Sequence, residues 1–367
     1  MRSLRLIVGL LLVTSLVAQS KPLDELVHHG FLKNGEVKLH YASLGKSGPL
    51  VVMLHGYPDY WYTWRHQMPE LATDHHVVAI DLRGYNRSDK PDGIEHYAWP
   101  KLLGDVAAVI RHFGHEKAIL VGHDWGGAIA WQVAMRMPRR VSKLAILNIP
   151  HPRGFFRELR ENPTQAKNSQ YARDFQNPKA HEKLTAELLA GWVKDRAARR
   201  KYVEAFRRSD FKAMLAYYKS NYPKPPATPQ GAAIPPMPPV KCPTLVIHGL
   251  ADKYLLASGL SGTWDWVDAE LTLVTIPKAG HFVQHDASDR VTRSLAQFLR
   301  RDGAPEQKTV AMAAVVNPAC PFSGRPVEPH CLTTWKGQVV GFCNPACRDK
   351  FAGDPERFIA QIPGLKR

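Results

Sequence analysis

The segment Gly122-His123-Asp124-Trp125-Gly126-Gly127 constrains this chain more than any other. An apolar run enters it (Ala118, Ile119, Leu120, Val121), and apolar residues at helical spacing leave it (Ala128, Ile129, Ala130, Val133, Ala134). It therefore reads as a strand, a sharp turn and a helix. Small residues on both sides of Asp124 let the chain turn tightly and expose that one side chain above a sheet. A carboxylate at such a turn is a candidate nucleophile. Attack on an ester would give only an unstable mixed anhydride, so it suits displacement at a saturated carbon, as in epoxides and alkyl halides. A lone Asp after a strand is ordinarily a cap or turn residue. The glycine frame, and two later segments, lift Asp124 above that reading.

The run Pro243 to Ile247 ends in His248-Gly249-Leu250-Ala251-Asp252, and Leu271 to Ile276 ends in Pro277-Lys278-Ala279-Gly280-His281. An acid and a base thus each follow a buried-type strand. In this order Asp252 would orient and stabilise the imidazole of His281, which would activate water. Asp265, Asp268 and Asp286 lie nearby, but none directly follows a strand. Upstream, Leu50 to Leu54 leads into His55-Gly56-Tyr57-Pro58. That backbone can bring the Tyr57 N–H beside that of Trp125 as an oxyanion hole.

With His55-Gly56-Tyr57-Pro58-Asp59-Tyr60-Trp61-Tyr62-Thr63-Trp64-Arg65, Asp81-Leu82-Arg83-Gly84-Tyr85-Asn86-Arg87-Ser88 and the Asp124 turn, the chain resembles the epoxide hydrolase branch of the α/β-hydrolases, over roughly residues 25–300. The resemblance implies an α/β fold: a mostly parallel sheet with helices on both faces and an inserted helical cap. It implies a small hydrophobic epoxide and water as substrates, and no cofactor for catalysis. It also implies two cap tyrosines that hold the epoxide oxygen. Tyr218, in Ala216-Tyr217-Tyr218-Lys219-Ser220-Asn221, fits one, with Tyr217 as its alternative; Tyr171, in Tyr171-Ala172-Arg173-Asp174-Phe175-Gln176, fits the other. Both could instead be core aromatics of a helical cap. Haloalkane and haloacid dehalogenases share the Asp nucleophile. The haloalkane enzymes often carry Asn where this chain has Tyr57, and fluoroacetate dehalogenases usually carry Arg where it has Trp125; both departures favour epoxides.

Length and composition fit one large enzyme domain with additions, since 367 residues at 44% hydrophobic can bury a substantial core. Residues 1–20 read as a secretory signal peptide: Arg2 and Arg5, an apolar stretch from Leu6 to Val17, then Ala18-Gln19-Ser20. That stretch is short of the ~20 residues needed to span a bilayer. The expectation is an exported protein, periplasmic or secreted, without stable membrane insertion after cleavage. Cleavage would lower the net charge from +16 to +14. Such basicity could suggest nucleic acid, but the leader and the lack of a recognisable nucleic-acid module argue against that partner. The densest basic run, Lys194 to Lys201, reads as the solvated face of a helix.

Residues 21–148 alternate strands and helices as the first part of the core. Residues 149–239 form a helical cap and a Pro-rich return (Pro225-Pro226, Pro235-Pro236, Pro238-Pro239), and residues 240–302 complete the sheet. No internal repeat is apparent. Oligomeric state is not legible.

After a linker over residues 303–315 the chemistry changes. Cys320, Cys331, Cys343 and Cys347 crowd residues 316–367, with Gly341-Phe342-Cys343-Asn344-Pro345-Ala346-Cys347 as a compact knuckle. With Cys320-Pro321-Phe322-Ser323-Gly324 and Asp354-Pro355 this segment resembles the YHS-type (TRASH-like) metal-binding modules, although the namesake Tyr-His-Ser is missing. The resemblance implies a Zn²⁺ or similar thiophilic ion on Cys320, Cys343, Cys347 and Cys331, with His330 as alternative to the last. Disulfides are the competing account, because an oxidising compartment favours them. Either staple would supply what so small a core lacks. Cys242 reads as a plain core residue. A third reading makes the chain a metal-binding envelope protein with a degenerate hydrolase domain.

Overall fold

The apolar runs that carry the candidate residues become the central strands of the sheet. In the computed structural model, residues 23–223, 236–300, 315–328, 331–362 and 365 are described. The expected leader, the middle of the Pro-rich return, the linker through residue 314 and His330 lie outside the described residues. The chain divides into two compact units, Met1–Leu299 and Arg300–Arg367.

The first unit holds an eight-stranded sheet: β1 (His28–Asn34), β2 (Val37–Leu44), β3 (Leu50–Leu54), β4 (His76–Ile80), β5 (Ala118–His123), β6 (Val141–Leu147), β7 (Thr244–Gly249) and β8 (Leu271–Ile276). Their spatial order is β1-β2-β4-β3-β5-β6-β7-β8. β1 and β2 pair antiparallel, as do β2 and β4; every other pairing is parallel. β3, β5 and β7 are buried at every residue, as continuous apolar strands with both faces covered must be. β1, at one edge, buries only Leu32 fully. Because β3, β5, β7 and β8 run parallel, their C-terminal ends fall on one side of the sheet, where open α/β sheets hold their ligands.

Between β6 and β7 the chain forms the helical cap. Its two longest helices are Arg196–Arg208 and Phe211–Asn221. Each starts on an aspartate whose side chain accepts a first-turn N–H, Asp195 from Ala198 and Asp210 from Ala213; such caps contribute about 1 kcal/mol each. The first buries Ala198, Tyr202, Ala205 and Phe206 and turns Arg196, Arg199 and Arg200 outward. The basic run is therefore a solvated helix face, as its spacing indicates. Among the described residues no helix is long and apolar enough to cross a membrane.

The second unit pairs β9 (Leu332–Trp335) with β10 (Gln338–Gly341) as a hairpin. Lys336 and Gly337 turn it with φ of 44° and 77°, the doubly positive geometry that matches strand twist in a two-residue loop. The helix Pro345–Gly353 follows, capped by the Asn344 side chain on the Cys347 N–H at 2.9 Å.

Candidate active site

Asp124 sits between β5 and the helix Trp125–Arg136 with φ 50° and ψ −120°, a strained left-handed conformation for a residue with a side chain. The glycines make room for this. A Cβ on Gly126 would collide with the backbone carbonyl of Leu54, and one on Gly56 with the Asp124 carboxylate itself. Close approach of β3 and the elbow then lets the Tyr57 N–H donate to Asp124 Oδ1 at 2.8 Å. The Trp125 N–H opens the first turn of the helix, where backbone donors have no helical partner. Of the two expected oxyanion donors, the Tyr57 N–H thus meets the carboxylate directly, and that of Trp125 follows Asp124 at the start of the helix.

His281 completes the arrangement. Its Nε2 lies 3.6 Å from Asp124 Oδ2, and its Nδ1 lies 2.9 Å from Asp252 Oδ2. Asp252 Oδ1 accepts the N–H groups of Tyr254 (2.8 Å) and Leu255 (3.1 Å). Burial opposes charge on Asp252, but the His281 charge, its hydrogen bond and a bond from Asn148 hold the carboxyl well below its usual range. Burial likewise opposes charge on His281; Asp252 and the hydrogen bonds to both carboxylates push its pKa up to about 10. The resting site is therefore an imidazolium between two carboxylates. Among the nearby acids, Asp286 instead accepts the Gly280 N–H at 2.9 Å.

Two further residues hold this geometry, and sequence reasoning missed both. Asn148, fully buried after β6 with φ 45°, donates to Asp252 Oδ2 (2.7 Å) and to the Gly280 carbonyl (3.1 Å) and accepts the Gly249 N–H (3.2 Å). It ties the acid loop to the histidine loop. His123 Nε2 lies 2.8 Å from the His281 carbonyl. Burial and the neighbouring His281 charge lower the His123 pKa to about 4, so it stays neutral and donates. The available signal was weak: an Asn ending a strand, and a His beside Asp124.

Tyr171 and Tyr218 face Asp124 from the cap. Their rings stand 6.2 Å apart, and both line the cavity that reaches Asp124. Among the described residues neither hydroxyl has a hydrogen-bond partner. Burial raises both phenols well above their ordinary range, so both keep their protons as donors. Tyr217, the one-residue alternative, points elsewhere: its hydroxyl donates to the Arg83 carbonyl at 2.9 Å.

The profile of the α/β hydrolase fold family matches residues 49–288. The chain belongs to this family, in its epoxide hydrolase branch. It is 33% identical over 295 residues to epoxide hydrolase 3 of Xenopus tropicalis, covering 75% of this chain and 78% of that protein. It is 32% identical over 285 residues to the AB hydrolase superfamily protein YfhM of Bacillus subtilis (strain 168), covering 74% and 97%. Among solved structures, the Bacillus megaterium epoxide hydrolase bound to an inhibitor matches with a TM-score of 0.69 at 32% identity, over 75% of this chain and all of that one. The protein is a hydrolase enzyme of α/β-hydrolase fold.

In the second unit of this hydrolase the ligand atoms of Cys320, Cys343 and Cys347 lie within 4.8 Å of one another. Cys331, the fourth cysteine expected there, lies outside this group of three. It precedes β9, where its backbone bonds to Glu328 and Phe342, and its side chain is packed in the core with Val340, Phe342 and Phe351. The Cys343 and Cys347 sulfurs are 4.0 Å apart, about twice the ~2.05 Å of a disulfide. Ser323 and Asn344 place polar groups on Cys343 Sγ at 3.0 and 3.3 Å. Such outer contacts orient metal-binding thiolates, and three converging thiols fit a thiophilic ion. Cys242 is buried at the entrance to β7, a core residue as expected.

Proposed function

We propose that this hydrolase opens epoxides to vicinal diols through a covalent ester on Asp124. The observation that carries the reading is a buried carboxylate facing two unpartnered phenols across one cavity, with a histidine and a second acid behind it. Tyr171 and Tyr218 donate to the epoxide oxygen as alkoxide charge develops, and one of them gives it a proton. Asp124 Oδ attacks a ring carbon from the opposite side, breaking the C–O bond and forming the hydroxyalkyl ester. The His281 imidazolium passes its proton, by way of solvent, to the tyrosinate so formed; the neutral imidazole then takes a proton from water, whose oxygen adds to the Asp124 carbonyl carbon. The Tyr57 and Trp125 N–H groups hold the resulting oxyanion until it collapses; the departing diol oxygen takes the acid proton, and carboxylate and imidazolium return. A halide leaving group needs no proton, so the phenol pair favours an epoxide over an alkyl halide. The test is intact-protein mass after mixing with an epoxide: Asp124→Ala forms no adduct, and His281→Gln accumulates one. A His281→Gln protein that stays unmodified by a substrate the wild type consumes would sink the two-step assignment.

Two finer statements belong to the same reading. Residues 316–367 bind a Zn²⁺ or similar thiophilic ion through Cys320, Cys343 and Cys347, which would supply folding free energy to a small core. The leader-like residues 1–20 direct the protein out of the cytoplasm. Metal content with thiol titration checks the first, and N-terminal sequencing of fractionated protein checks the second.

A further inference from the structure

Asp124, Tyr171 and Tyr218 do not close the end of one pocket; two cavities share them. The first, about 90 Å³, runs beside the helix Trp125–Arg136 and is walled by Trp99, Trp125, Trp131, Phe155 and Gln132. The second, about 450 Å³, is walled by Phe175, Leu184, Leu188 and by Trp192 stacked on Phe282 at 3.5 Å. An epoxide whose oxygen faces the two phenols and whose carbon faces Asp124 lies across this junction. Substituents on its two carbons then leave in two directions. An apolar cavity of about 150 Å³ takes a benzene ring. By that scale the arm of about 90 Å³ admits a slim chain, and the arm of about 450 Å³ admits a ring-bearing or bulky group.

Three polar side chains line the slim arm away from the reacting atoms: Asn221, Gln132 and Tyr222, whose buried hydroxyl has no hydrogen-bond partner among the described residues. Asn221 is satisfied: it accepts the Trp99 N–H and donates to the carbonyls of Tyr97 and Tyr217. Gln132 is only 6% exposed, and its Oε1 accepts from Arg136 Nε at 2.7 Å. Because an arginine can only donate, the atom it meets is the oxygen, and the other terminal atom is the NH₂. Among the described residues that NH₂ has no protein partner. Gln132 lies eight residues beyond Asp124 on the adjoining helix, about 12 Å along its axis.

We propose, resting on the epoxide reading, that the substrate is an internal epoxide with two unlike arms. One carbon carries a bulky apolar group for the larger cavity. The other carries an unbranched chain whose carbonyl or ether oxygen, several atoms from the ring, accepts the Gln132 amide N–H. Gln132 thereby sets specificity, since a buried donor left unpaired disfavours a pure hydrocarbon chain.

The test uses three epoxides with a phenylethyl group on one carbon. The other carbon bears only hydrogen, a hexyl chain, or a chain of the same length with a ketone near its far end. Wild-type kcat/KM is expected to rise in that order. Gln132→Leu removes the donor, and Gln132→Glu keeps an acceptor for Arg136 but presents no N–H. Both should raise the ketone-to-hexyl KM ratio about threefold to tenfold, the worth of one neutral hydrogen bond, while the kcat ratio holds. An unchanged KM ratio in both variants, or a terminal epoxide consumed as efficiently as the hexyl one, overturns the proposal. Diol from none of the three would instead bring down the epoxide reading on which it rests.

Discussion

Replacing Asp124 by Asn should turn His281 from an acid into a base at neutral pH. The imidazolium of the resting enzyme owes part of its charge to the Asp124 carboxylate 3.6 Å away. Two unit charges at that distance attract by about 4.6 kcal/mol at an effective dielectric constant of ~20, equivalent to about three pH units. The His281 pKa, raised to about 10 in the wild type, should therefore fall to about 7 in Asp124→Asn. Asparagine mimics the proposed covalent intermediate in one respect: like the ester, it is neutral. Alkylation of Asp124 would itself lower the His281 pKa and leave it ready to take a proton from water, so that neither step needs a separate trigger.

The assay is an NMR titration of the imidazole, assigned by its loss in His281→Gln, with intact mass confirming that the Asn persists. Stability gives a second readout with a definite sign. A histidine whose folded pKa is raised stabilises the fold fully below its unfolded value of about 6.5, and that contribution is lost as pH rises through about 10. In Asp124→Asn the loss should end near pH ~7. A His281 pKa that drops by less than about one unit in the variant would refute this coupling, and the base would have to be freed in another way.

Tyr218→Phe with Tyr171→Phe should slow ester formation by roughly 10²-fold or more, the usual yield of a positioned proton donor, measured by rapid-quench mass spectrometry; Tyr217→Phe should leave that rate intact and cost about 1 kcal/mol of stability through its lost bond to Arg83. Asn148→Ala removes three hydrogen bonds and places Ala at φ 45°, so denaturant titration should show a loss of roughly 3 kcal/mol or more; a change within about 0.5 kcal/mol would exclude the bridging role. Cys320→Ser, Cys343→Ser and Cys347→Ser should each lower bound metal by elemental analysis, whereas Cys331→Ala should retain it and lower the module's melting temperature; equal metal loss in all four would restore the four-ligand set.

What the chain discloses in one dimension depends on how far each property reaches. Burial of β3, β5 and β7 on both faces demands an unbroken apolar run, so those strands and the residues just past their ends were legible. Asp252 was separable from Asp265 and Asp268 for the same reason: it follows β7 within one turn, where a side chain can reach the histidine from the next strand. Tyr217 and Tyr218 pose a different problem. Adjacent residues on a helix point about 100° apart, so the motif narrows the choice to two, and only the rotation of that helix against the core decides. The Tyr217 bond to the Arg83 carbonyl and the Asp210 cap fix that rotation.

Asn148, His123 and Gln132 were illegible because each acts through partners supplied by folding. Asn148 joins two loops about 100 and 130 residues further along the chain, and no local pattern encodes such a meeting. Cys331 shows the converse. Four cysteines in a short segment look equivalent by spacing, and Cys320 and Cys331 are both buried in the module's core, yet among the described residues it is the sulfurs of Cys320, Cys343 and Cys347 that converge. Spacing gives the supply of thiols, and the hairpin register decides which of them can share an ion. The division of cavity space at Asp124 has the same origin, since its walls come from the cap, the elbow helix and the loop after β8 together. Reaction type therefore follows from local motifs at strand ends, and substrate choice from how the cap rests on them.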